Sequence, residues 1–194
     1  MTKIKYLLFL FLCAAIFACN KKDILVSEPK IDFNTAAVKL MDSIRPDLYG
    51  TWQMQEMKVV PSPPSTAEIG IHKDTVLKNI ATLSINQIDY DTNELYRRRN
   101  DVTGTLTFGN KTYPVGFTMN ASANRIYHKT GPQVFGLFEY RFSDESHVTA
   151  KEEMYLIYLT LIGENFEMQL SDDGRLMQWK GLNGAIKGIR LVKK

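Results

Sequence analysis

From residue 48 onward the chain alternates apolar and polar positions with a period of two, and turn-forming residues break the pattern at short intervals. Thr51 to Val60 predicts one strand. Pro61-Ser62-Pro63-Pro64 opens a loop that runs to about Asp74, and Asn79 to Asp89, rich in Ile and Thr, predicts the next strand. Val102 to Phe108 and Lys111 to Met119 flank Gly109-Asn110, a two-residue pair that suits a primed hairpin turn. Gln133 to Phe142 places Val134, Gly136, Phe138, Tyr140 and Phe142 on one face. Met154 to Ile162 is almost wholly apolar, which predicts a strand covered on both faces, either by the N-terminal helix or by another protein. Phe166, Met168 and Leu170 alternate with Glu167 and Gln169; a turn at Ser171-Asp172-Asp173-Gly174 follows, and Arg175 to Lys180 and Ala185 to Val192 end the series. Eight or nine short strands of this kind make an all-β domain, a sandwich or a barrel, and a closed barrel also removes the edge strands.

A different period precedes the strands. Ala37, Val38, Leu40, Met41 and Ile44 predict a short amphipathic helix over Thr35 to Ile44, capped at Asn34 or Thr35 and stopped at Pro46. Residues 20–33, with Ser27, Glu28 and Pro29, have no periodicity and read as a tether that reaches about 50 Å at full extension.

The first eighteen residues are of another kind. Lys3 and Lys5 precede thirteen uncharged residues, Tyr6 to Ala18. As a helix that run is roughly 20 Å long, short of the ~30 Å hydrocarbon core but right for a signal-peptide apolar region. It has no polar face, so it does not read as a core helix. Ile16-Phe17-Ala18-Cys19 resembles the lipobox of bacterial lipoproteins, which implies cleavage before Cys19 and acylation of its thiol. Two or three acyl chains, typically palmitate, hold a protein firmly to a bilayer. Asn20, where retained lipoproteins of this kind carry Asp, leans towards the outer membrane, on its periplasmic face or the cell surface. The expected organisation is therefore a signal peptide over 1–18, a lipid-anchored tether over 19–33 and a β-barrel domain over 34–194.

Removing the signal takes two of the 24 basic residues and leaves the 21 acids, a formal charge of +1. That gives no electrostatic case for nucleic acid, and Arg97-Arg98-Arg99 reads as a solvated loop. Cys13 leaves with the signal and Cys19 is used by lipid, so the mature chain has no cysteine for a disulfide, a metal or a nucleophile. His72, His128 and His147 fall in predicted loops without ligand spacing. Asp89-Tyr90-Asp91-Thr92-Asn93 starts like a calcium loop, but Glu94 stands in place of the required Gly and Asn100 in place of the bidentate Glu. Gly109-Asn110-Lys111-Thr112 ends like a phosphate loop but sits in a hairpin. Glu152-Glu153 and Asp172-Asp173 are neighbours, which a strand would point to opposite faces. The sequence predicts no enzyme, no metal and no cofactor. Aromatic residues are plentiful on the predicted strands and suit either core packing or the lining of an apolar pocket.

Leu48-Tyr49-Gly50-Thr51-Trp52 opens the first strand, and Gly-x-Trp there resembles the lipocalin and fatty-acid-binding-protein superfamily. With the lipobox, the combination looks like the lipocalin-like lipoproteins of Gram-negative bacteria. The resemblance implies a closed antiparallel barrel with a short N-terminal helix, in which an Arg from the last strand, here Arg190, packs across Trp52. The Arg-x-Tyr clamp of fatty-acid-binding proteins is replaced by Arg190-Leu191-Val192, so no carboxylate clamp is implied. The function expected is a lipid-anchored binding module for a small apolar or amphipathic ligand. The alternatives are an accessory subunit that docks on an outer-membrane protein and a small-barrel protease inhibitor.

Overall fold

The structure, a computed structural model, describes residues 31–86, 101–141 and 151–194. Helix α1 (Phe33–Leu48) begins two residues before the expected start at Thr35. Asp32 supplies the cap: its carboxylate accepts from the backbone N–H of Asn34 and Thr35 and from the Thr35 hydroxyl, satisfying donors that a helix start leaves open. Pro46 does not stop the helix. It lies in the last turn, where the chain runs on to Leu48 and Tyr49 N–H closes onto the Pro46 carbonyl. Met41, Ile44 and Leu48 form the buried stripe.

Nine strands form one antiparallel sheet: β1 (Gly50–Val59), β2 (Thr75–Lys78), β3 (Ala81–Asn86), β4 (Asp101–Phe108), β5 (Lys111–Ala121), β6 (Val134–Tyr140), β7 (Glu164–Leu170), β8 (Leu176–Gly181) and β9 (Ile186–Lys193). β1 also pairs with β9, from Trp52 opposite Lys193 to Val59 opposite Ile186, which closes an eight-stranded barrel. The extra strand, β2, takes the upper half of one edge of β1 and β3 the lower half. Asn79, in left-handed backbone at φ 51°, makes the step between them while Asn79 and Ile80 N–H still bond to β1. The hairpin at Gly109-Asn110 forms as the sequence predicts, with Phe108 opposite Lys111.

The basal end of the barrel, where β1 begins, carries α1, the β7–β8 turn and the β5–β6 connection. That connection includes a helix the sequence reading missed, α3 (Ala123–His128), capped by Ser122. The distal end carries the loop after β1, the β4–β5 hairpin, the β6–β7 connection and the β8–β9 turn. Within the loop after β1 one short helix, α2 (Ser65–Glu68), follows the Pro-rich stretch.

The expected strand over Met154 to Ile162 is a helix instead, α4 (Lys151–Tyr158), followed by a turn to β7. A short apolar run does not distinguish a buried strand from a buried helix. The helical spacing turns Glu153 and Leu156 inward, and Leu159 and Leu161 follow them, all with no exposed surface, whereas Ile157 keeps 37% of its surface in solvent. Apart from Ile157, the apolar run is covered by its own barrel. Glu152 and Glu153 at the first turn also suit the positive end of a helix.

Inward-facing positions fill the middle of the barrel. Phe117 stacks on Phe138 at 4.6 Å, and Trp179 meets Phe117, Phe138 and Phe166 at 5.1, 5.6 and 5.2 Å between centroids. Gly136 gives this layer its room, since a Cβ there would approach the Met168 methyl to 2.9 Å. Met54, Met57, Leu83, Leu106 and Met119 close the gaps, each buried to within 1%.

Candidate functional site

At the basal end Trp52 is fully buried and its indole N–H donates to the Leu48 carbonyl at 2.8 Å, tying the first strand to the end of α1. The cation over its ring is not Arg190. Lys193 Nζ lies 5.2 Å from the ring centroid and also donates to the Asp47 carbonyl at 3.0 Å. Arg190 is exposed and stands opposite Glu56 and Gln178 on the outer wall. The reason is local. β9 carries one extra residue, Lys187, between the positions that pair with Val59 and Lys58, and this bulge turns Ile189 and Leu191 inward and Arg190 outward. Strict alternation from Ile186 would have put Arg190 inside. The neighbouring of first and last strands, on which the expected Trp–Arg contact depended, does hold.

The distal end is different in chemistry. Above the aromatic layer a few polar groups enter the apolar interior. Tyr113 on β5 and Tyr140 on β6 lie with ring centroids 5.8 Å apart, and the fully buried carboxylate of Glu153 on α4 is close enough to act on both phenols. Burial, and after it the Glu153 charge, holds the Tyr140 hydroxyl far above the usual phenol range. Tyr113 is shifted the same way, again chiefly by burial. Its hydroxyl is buried without a hydrogen-bond partner among the described residues. A buried hydroxyl without a partner is costly, and a ligand oxygen or a water is the usual remedy.

Helix α4 forms the roof of this cluster and is fastened on both flanks. Lys111 Nζ bonds Glu152 at 2.8 Å, and Tyr155 stacks on Phe108 at 5.5 Å, which fixes the helix to the β4–β5 hairpin. On the other flank Glu164 Oε1 accepts from the N–H of Asn165 and Asn183 at 2.8 and 3.1 Å. Thr160 Oγ1 accepts from Ala185 N–H at 2.8 Å. These two residues join the turn after α4 to the β8–β9 turn. The loop after β1 lies at this end, and α2 packs against α4. Val60, Val76, Ile157 and Leu182, each more than a third exposed, belong to elements of the same end.

The outer wall bears an open groove of about 560 Å³ across β1, β9, β8 and β7, whose charged and amide lining includes Glu56, Lys58, Gln169, Gln178, Lys187 and Arg190.

Among the described residues no group of three His, Cys, Asp or Glu is placed to hold a metal. His72 and His128 are exposed at the surface. His147, the calcium-like stretch at Asp89, the arginines at 97–99 and Cys19 lie outside the described residues. No helix among the described residues is long and apolar enough to cross a membrane. A strand over Met154 to Ile162 leaves Glu153 at its approach, so the strand pattern does not expose the distal cluster. The pair of acids before an apolar run was the available signal. Comparison with protein-family models, with curated proteins and with solved structures gives no match for this chain.

Proposed function

We propose that this protein is a lipoprotein, anchored through Cys19 to the outer membrane, that binds one small amphipathic ligand at the distal end of its barrel, under α4. The observation that carries the reading is the gathering of the Tyr113, Tyr140 and Glu153 oxygens at one end of an otherwise apolar interior. The aromatic layer of Phe117, Phe138, Phe166 and Trp179 is the floor, so the ligand is short and does not thread the barrel. Tyr113 donates to a polar group of the ligand, while its apolar part meets Leu156 and the ring faces. The exposed Val60, Val76, Ile157 and Leu182 form an apolar approach to the same end.

Titration of the full chain with 1-aminoanthracene, a small neutral amphipathic fluorophore, tests this. One saturable site is expected, weakened about three- to tenfold by Tyr113→Phe and unchanged by Arg190→Ala. Absence of saturable binding, or equal loss in both variants, overturns the reading. A second reading, an accessory subunit that docks on an outer-membrane protein, is favoured by the open groove on the outer wall, where Lys58, Lys187 and Arg190 present charge to a partner. No observation favours the protease-inhibitor alternative.

A further inference from the structure

We propose that the face formed by α1 and α3 at the basal end is a docking surface for the anionic lipid bilayer to which the chain is anchored. The inference rests on the lipid-anchor reading of Cys19 and adds to it an orientation. The chain enters the barrel domain at Asp32, immediately before α1, and twelve residues separate it from Cys19. Their fully extended reach is about 43 Å, so the anchor limits how far α1 travels from the membrane surface.

The chemistry of the face fits a bilayer interface. Phe33 on α1 stacks on Tyr127 of α3 at 5.8 Å, which joins the two helices at their outer side. Tyr127, the outer ring of that stack, keeps 47% of its surface in water. Tyrosine is amphipathic and settles at the headgroup level of bilayers. Lys39 and Lys129 line an open depression of about 340 Å³ between the helices, floored by Leu40 and Ile126. The nearby acid of α1, Asp42, does not line the depression and is bridged to Arg45 at 3.2 Å. Helix α3 carries Arg125 and His128 and no acid. An exposed aromatic edge beside lysines is a pattern by which peripheral helices hold to anionic headgroups. The arrangement turns the distal end, with its polar cluster and apolar rim, away from the bilayer.

The experiment uses the lipidated full-length product reconstituted in vesicles, one set with phosphatidylglycerol and phosphatidylethanolamine and one with phosphatidylcholine alone. Lysines are modified briefly with acetic anhydride and read by mass spectrometry. In the anionic vesicles Lys39 and Lys129 are expected to react several-fold more slowly than in the zwitterionic ones, with Lys58 and Lys187 equal in both. Lys39→Glu with Lys129→Glu should release the face, seen as loss of the blue shift of an environment-sensitive dye on Tyr127→Cys. Equal reactivity of Lys39 and Lys187 in anionic vesicles overturns the orientation. Palmitate labelling of the same preparation, with Cys19→Ser as control, reads the anchor by itself. Labelled protein without protection refutes the docking face alone, and unlabelled protein refutes the anchor on which it rests.

Discussion

The ammonium of Lys193 stands 5.2 Å from the centre of the Trp52 ring and bonds at the same time to the carbonyl of Asp47. One side chain thus joins the last strand, the first strand and the end of α1. It also accounts for the glycine of the Gly-x-Trp motif. Gly50 has φ 121°, a conformation that glycine tolerates, and a Cβ there would meet the Lys193 Cε at 3.0 Å. Lys193→Ala should therefore cost about 1–2 kcal/mol of stability, the sum of a cation–π contact and a hydrogen bond. Arg190→Ala should stay within about 0.5 kcal/mol of the parent. Urea unfolding of the two variants checks the difference, and equal losses would restore Arg190 to the contact.

Glu164 is 5% exposed and holds two backbone N–H groups from different segments. Glu164→Ala leaves those donors without their acceptor and should cost about 2–3 kcal/mol, while Glu164→Gln, which keeps one acceptor oxygen, should cost less than half of that. Thermal unfolding and hydrogen exchange at Asn165 and Asn183 measure both.

The roof of the barrel is predicted to be helical in its response to mutation. Leu156→Ala should cost about 2–5 kcal/mol, because the side chain has no exposed surface. Ile157→Ala, on the outer side of α4, should cost under about 1 kcal/mol. A strand at this place would also have separated neighbours, but it would have put Leu159 on the same side as Ile157, whereas Leu159 is fully buried. Leu159→Ala is accordingly expected to resemble Leu156→Ala and not Ile157→Ala.

Tyr140, Tyr113 and Tyr155 all have hydroxyls raised above the ordinary phenol value, with burial as the first cause in each. Such groups keep their proton in the folded state at a pH where the unfolded chain has lost it. Folded protein then binds more protons than unfolded protein, so stability falls as pH rises. The contribution is fully present below about pH 10, the unfolded value, and is lost above it. Unfolding followed from pH 8 to 11.5 should show this decline, and Tyr140→Phe should flatten it. An unchanged slope in the variant would remove Tyr140 as its source.

Tyr113→Phe separates structure from binding. Its hydroxyl is buried without a hydrogen bond among the described residues, so the substitution should leave stability equal or raise it by up to about 1 kcal/mol. Any loss of 1-aminoanthracene binding then belongs to the lost hydroxyl and not to unfolding. Destabilisation by more than about 1 kcal/mol would mean that the hydroxyl has a partner in the folded chain.

The sequence by itself determined the elements whose side chains are sorted between water and a core. Alternation in Phe166, Met168 and Leu170 became the inward face of β7, and Gly109-Asn110 became the hairpin turn, because period two and left-handed backbone are written in neighbouring residues. The amphipathic helix before β1 was legible for the same reason, down to Met41 and Ile44 in its buried stripe. Tertiary structure decided what such local patterns leave equal. The uniformly apolar run after Glu153 has no polar face to fix its period, and the space left at the distal end of the barrel selected a helix. A single extra residue in β9 reversed the facing of Arg190, and pairing with β1 alone determines whether a residue is extra. The cluster of Tyr113, Tyr140 and Glu153 brings together three distant positions through the β5–β6 pairing and a roof helix, which no spacing along the chain encodes.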